Sequence, residues 1–321
     1  MKNFVFMFLF LGIICDFTYS QTSEQVYIVG WEGGTSPVYW LNGEKIILPT
    51  SGNYGITSAI AISGSNVYIV GSDEDDAVYW LNGQRHVLPK TSNRAYAASI
   101  AISGSNVYIG GGDGDEAVYW LNGQRHTLPR TLYRGSYACA IAISGTNVYI
   151  GEMARIGDNR YNAVYWINEQ RNILSEDNRN TSIDAIAISG TNVYIVGTYG
   201  NDAVYWLNGQ RHTLPKTSDN DVAAYAIAIA ISGSNVYIAG RNGRHTAIRG
   251  DGQDAVYWLN EQMNILPKNS RNASAKGIAI SGSNVYIIGA DGDDAVYWLN
   301  GQRYVLPSSG RAYVSAIAIK L

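Results

Sequence analysis

The chain has 321 residues, of which 15% are charged, and a formal net charge of −3. It has no basic stripe and no Lys/Arg-rich amphipathic helix, which argues against nucleic acid and against a membrane-surface helix as partners. Its two cysteines, Cys15 and Cys139, exclude a disulfide-built scaffold.

The first twenty residues differ from the rest. Lys2 gives a positive start, Phe4 to Ile14 is an unbroken apolar run, and Thr18-Tyr19-Ser20 offers small residues for cleavage. All five phenylalanines lie in this leader. The run is about half of the ~20 residues that a spanning helix needs. Residues 1–20 are therefore expected to be a signal peptide, leaving a secreted mature chain, extracellular or periplasmic, with no transmembrane segment. Cys15 makes a lipid anchor the minor alternative, although Ile14 is a poor residue before a lipidated cysteine. Without the leader only Cys139 remains, and it is expected to be a small residue of the buried core.

From Gln25 onward one sentence repeats. Its second copy, Ala59 to Pro89, reads AIAISGSNVYIVGSDEDDAVYWLNGQRHVLP. The Val-Tyr that opens its second segment recurs at Val26, Val67, Val107, Val148, Val193, Val236 and Val285, at intervals of 41, 40, 41, 45, 43 and 49 residues. Each unit holds four short runs rich in Val, Ile, Tyr and Trp, bounded by Gly, Asn or Pro, as strands are. No run past the leader keeps a helical apolar period. Ser63-Gly64-Ser65-Asn66 and its copies join the first two strands. Asn82-Gly83 and its copies join the last two, and Asn-Gly tolerates the positive φ that a tight hairpin demands. In the fourth and sixth units the pair becomes Asn168-Glu169 and Asn260-Glu261, so those turns should be less ideal.

A four-stranded unit of this length, repeated seven times, predicts an all-β fold: a seven-bladed β-propeller. The chain starts at a second strand and ends on an orphan first strand, Ala316 to Ile319. The first blade is thus split, 25–49 plus 312–321, and the C-terminal strand closes the ring of a single 21–321 domain, expected to be a monomer. The longest link runs from the polar QRHVLP strand to the next AIAI. AIAI should therefore be innermost and QRHVLP outermost. The seven repeated Trp, from Trp40 to Trp298, should be core packed between blades. His86, His126 and His212 lie on outer strands and should be solvated edge residues.

Variation between units is concentrated in the link between strands two and three and in the link between blades. Both emerge on one face of a propeller, so that face is the candidate binding face. Tyr54, Tyr96, Tyr137, Tyr225 and Tyr313 precede the innermost strands and are expected to ring the channel mouth. There they would stack on sugars or, more plainly, pack between blades. Trp31 falls outside the Trp pattern, in a variable link. Arg249-Gly250-Asp251 in the longest insertion spells an adhesion tripeptide, though the repeat itself already explains Asp251. Asp113, Asp115, Asp291 and Asp293 are candidate Ca²⁺ ligands. Each link supplies about three of the 6–8 oxygens that Ca²⁺ takes, so a solvated turn is the plainer reading. In that reading the last acid of each link (Asp76, Glu116, Asp202, Asp254, Asp294) accepts from backbone N–H groups.

The hairpin IAISGSNVYIVG followed by VYWLNG resembles the repeats of secreted bacterial seven-bladed propellers and, more distantly, kelch and WD propellers. Neither the double glycine of kelch nor the Trp-Asp ending of WD repeats is present. The resemblance implies a fold and no functional residues, because these folds host enzymes, lectins and scaffolds alike. The sequence therefore points to a binding module for an extracellular glycan or protein, and not to nucleic acid. The alternative is a polysaccharide hydrolase or lyase using acids such as Asp113, Asp115, Asp251 and Asp254. Near-identity of the units disfavours it, since one catalytic centre requires one blade to break the pattern.

Overall fold

The repeats form seven four-stranded antiparallel sheets in a computed structural model that describes residues 24–129, 135–157, 160–175, 179–217, 223–243 and 252–321. The leader therefore lies outside the described residues. Each innermost strand touches the innermost strands of the sheets before and after it, and the seventh touches the first, so the sheets close into a ring. The blades are numbered 1 to 7 in chain order, blade 1 being the split one.

The expected clasp is present. Gln25–Glu32 pairs antiparallel with Ala312–Lys320, with Val26 opposite Ile319 and Trp31 opposite Tyr313. The link before the terminal strand docks too: Gly33 N–H donates to Arg311 O at 3.0 Å, and the Trp40 indole donates to Pro307 O at 2.9 Å.

Seven apolar clusters hold the ring, one at each blade interface. Each is centred on one repeated Trp that faces the outer strand and link of the preceding blade. Six of these Trp are fully buried and Trp166 is 3% exposed. A buried indole N–H needs an acceptor. In five interfaces it is the carbonyl of the proline that ends the previous blade, as from Trp80 to Pro49 at 2.8 Å. Blade 4 breaks the rule, because Trp166 donates to the buried carboxylate of Glu152 at 2.7 Å. At blade 5 the proline is replaced by Ser175, and the Trp206 indole has no partner.

The hairpins behave as the sequence requires. Asn42, Asn82, Asn122, Asn208 and Asn300 sit at φ of 50–52°, each followed by a left-handed glycine. Each Asn also accepts the N–H that opens the second strand, as Val67 N–H to Asn82 Oδ1 at 2.9 Å, so the turn is tied to its neighbour. Glu169 and Glu261 are held at φ 69°, a region unfavourable for a residue with a Cβ. Their carboxylates accept from the hydroxyls of Tyr119 and Tyr205 in the preceding blade, which offsets that strain. Nor are the outer histidines merely solvated: His86, His126 and His212 stack on Tyr79, Tyr119 and Tyr205 at 4.7–4.8 Å.

Deleting residues 312–321 would strip blade 1 of its inner strand and empty part of one interface. The melting temperature is expected to fall by about 10 °C or more, since each lost kcal/mol costs a few degrees in a chain of this size. An unchanged value in a thermal unfolding scan would contradict closure through this strand.

Candidate binding site at the channel mouth

The innermost strands are longer than the AIAI core of the repeat. Gly55–Ser63 in blade 2 and Ala95–Ser103 in blade 3 run for nine residues. In all seven blades the register with strand two shifts once, at the residue just before AIAI. This is a β-bulge, which leaves one residue unpaired and re-aims its side chain. The bulged residues are Ser58, Ala98, Cys139, Asp184, Ile227, Lys276 and Ser315. All seven line one cavity of about 230 Å³ at the ring centre. A position that is structurally the same in every blade thus carries hydroxyl, methyl, thiol, carboxylate, alkyl and ammonium groups.

Two residues earlier, towards the variable face, a second ring varies as much. It comprises Ile56, Tyr96, Tyr137, Ser182, Tyr225, Ser274 and Tyr313. These pair across to Ser72, Gly112, Met153, Thr198, Arg241, Ala290 and Trp31 respectively. Trp31 stacks on Tyr313 at 5.3 Å, and the Arg311 guanidinium lies 5.0 Å from the same ring. Tyr96 and Tyr137 meet edge to face at 5.8 Å. Tyr96 lies over Gly112, where an added Cβ would come within 2.9 Å of the ring. Arg241 stacks on Tyr225 at 4.1 Å.

The electrostatics follow from crowding. Asp184 stands in the lumen, reached by solvent yet surrounded by protein, and this desolvation pushes its carboxyl up to about 6. The hydrogen bond from Ser182 (2.8 Å) and the charges of Lys276 and Arg241 oppose that rise. Burial and the Arg241 charge lower the Lys276 ammonium, with Asp184 acting the other way. Burial, then neighbouring Tyr and Cys groups, raises Tyr96 and Tyr137, so both keep their hydroxyl protons. Burial likewise raises the Cys139 thiol, whose sulfur donates to Gly151 O at 3.3 Å. Cys139 lines the channel rather than sitting in the core, and as a thiol it is a poor nucleophile.

Tyr96, Tyr137, Tyr225, Tyr313 and Trp31 come together at the mouth. Tyr54 does not, because it falls two residues early in the link, where its backbone N–H and C=O pair with Glu74; Ile56 takes the ring position. Arg249 and Asp251 lie outside the described residues. Asp113 and Asp291 are 2% exposed and fasten the inter-blade link to its own blade. Asp113 accepts from the N–H and hydroxyl groups of Thr91 and Ser92 and from Arg125 Nε at 2.7 Å. Asp291 accepts likewise from Asn269 and Ser270 and forms an ion pair with Arg303 at 2.7 Å, and Asp73 accepts from Ser51 and Arg85. Both oxygens of Asp113 and Asp291 are spent on the fold, as is Oδ2 of Asp73. Asp293 is 3.1 Å from Arg311, and Asp115 has interactions of its own. Among the described residues no three His, Cys, Asp or Glu are grouped for a metal. The last acid of each link pairs with a cation rather than with backbone: Asp76 with Lys90, Asp202 with Lys216 and Asp254 with Lys268, at 2.6–2.8 Å.

Asp184, Arg241 and Lys276 were missed in the sequence. The signal that finds them is the residue immediately before AIAI, which differs in kind from unit to unit, together with the partner of the Tyr two places earlier.

No protein-family description matches the chain, and no curated protein matches it. Solved structures share the fold. A nidogen/laminin complex chain is 11% identical with a TM-score of 0.51, over 93% of this chain and 98% of that one. The extracellular domain of the hybrid two component system BT4673 from B. thetaiotaomicron is 12% identical with a TM-score of 0.56, over 84% of this chain and 36% of that one. The chain thus spans about a third of that domain. At these identities the likeness establishes a propeller and nothing of its ligand.

Hydrogen bonds from Ser92 and Thr91 outweigh burial and hold the Asp113 carboxyl well below the usual range. Its stabilising contribution is therefore full above about pH 4 and lost as pH falls through the folded value. Asp113→Asn is expected to cost about 2–3 kcal/mol at pH 7, with the gap narrowing towards pH 2. Urea unfolding at both pH values checks this, and a gap that does not depend on pH would contradict it.

Proposed function

We propose that the protein is an extracellular or periplasmic binding module that recognises a glycan at the channel mouth. One observation carries the reading. The residues that differ in kind from blade to blade converge on two rings at the mouth, while the hairpin turns at the other end repeat almost unchanged. A ring of identical blades has no need of Asp and Lys at one equivalent place, of Tyr at a second, or of Arg and Trp at a third. Convergent aromatic faces with a few polar groups are what a sugar requires, the rings covering its apolar face and the charged groups meeting its hydroxyls. A protein ligand at the same mouth is the other outcome of the test. Hydrolysis gains no support from Asp113 or Asp254, whose carboxylates are committed to Arg125 and Lys268.

A glycan array probed with purified 21–321, with calcium and with chelator, is expected to show binding that survives chelation. Tyr313→Ala and Tyr225→Ala should each weaken it about tenfold, or ~1.4 kcal/mol. Loss in chelator would return Asp115 and Asp293 as metal ligands. An array with no hit, from protein that unfolds normally on heating, would sink the glycan reading and send the search to a protein partner.

A further inference from the structure

Three successive blades place unlike charges on their two inner strands at the mouth. Blade 5 contributes Asp184, blade 6 Arg241 and blade 7 Lys276, and Asp184 and Lys276 each feel the charges of the other two. None of the three is joined to another by an ion pair, and Lys276 has no ion-pair partner among the described residues. Arg241 Nε is buried with no hydrogen-bond partner, although its guanidinium plane is pinned on Tyr225. A buried guanidinium N–H left without an acceptor is costly. The strands here repeat in sequence and bonding, and no feature of the fold requires an arginine at this place. Five of the six equivalent positions in other blades carry Ser, Gly, Met, Thr or Ala.

We infer that Arg241 and Lys276 receive the carboxylate of an acidic sugar at the channel mouth. The planar fork of an arginine matches a carboxylate, and stacking on Tyr225 pre-orders that fork. Two cations against one carboxylate leave a surplus of one positive charge, which suits a monoanion better than a phosphate dianion. The flanking aromatics, Tyr225 on blade 6 and the Trp31–Tyr313 stack on blade 1, lie on either side of Lys276 around the ring. A cavity of about 230 Å³ is smaller than the roughly 300–1,000 Å³ of drug-sized sites. It accepts one residue of a chain, with the remainder lying across the open face. The inference rests on the glycan reading and specifies its sugar class as uronic acid.

The test is calorimetric titration of the wild-type chain with tetrasaccharides of galacturonic, glucuronic and mannuronic acid, each against its methyl ester, which removes the charge at almost constant size. At least one acid should bind ten times or more tightly than its ester, with affinity falling as salt is raised. Arg241→Gln and Lys276→Met should each remove most of that preference, bringing the affinity for the acid close to that for its ester. The wild-type comparison stands even if a variant fails to fold. Equal binding of acid and ester overturns the uronate inference and leaves the glycan reading intact. So does a neutral array hit with no uronide binding. No binding to any sugar, charged or neutral, overturns both.

Discussion

The fold depends on an indole wedged between sheets. Each blade sends one Trp from its third strand into the outer strand and link of the blade before it. In five of seven cases its N–H ends on that link's proline carbonyl. Truncating such a residue costs about 3–5 kcal/mol, and the ring repeats the contact seven times. Cys139 is a free thiol, so among the described residues no disulfide reinforces these interfaces. Once these wedges set the spacing of the blades, the inner strands have to converge, and whatever the bulge carries has to enter the channel.

A second layer of ordering fixes the variable face. Carboxylates at the end of strand two draw the incoming inter-blade link onto their own blade, in blade 1 through Glu32 and Ser309 and in blades 2, 3 and 7 through Asp. Loops that could have been loose are held by buried charge-assisted bonds. In these four blades the link can therefore differ in sequence while staying fastened to the same place. That combination of fixed path and free side chains lets a repeat protein build one asymmetric site.

Much of this was legible in the sequence because it was repeated. The Asn-Gly turns, the apolar Tyr-Trp strand and the split first blade each recur at a fixed offset, and each follows from an elementary constraint: positive φ, burial on both faces, a closed ring. The site was less legible for the opposite reason. The bulge is one unpaired residue in the part of the unit where the copies agree least, so a two-residue alternation slips there. Tyr54 was grouped with the mouth tyrosines by the look of its link, although its register is two places short. The acidic links looked like ligand sets because a sequence does not show which carboxylates the neighbouring link will occupy. Glu169 and Glu261 looked like worse turn residues. They are worse turns, but they also reach a tyrosine one blade away.

The account divides the chain into a repeated frame and a non-repeating mouth. The measurement that tests this most directly is made on a chain whose mouth has lost its blade-5, blade-6 and blade-7 side chains. Tyr225, Arg241, Asp184 and Lys276 are replaced by the residues that blade 2 carries at those places, Ile, Ser, Ser and Ser. Thermal unfolding and array binding are then read on the same sample. The account predicts a melting temperature within a few degrees of the wild type and loss of glycan binding. Undiminished binding by this variant, or a ring that no longer folds, would contradict it.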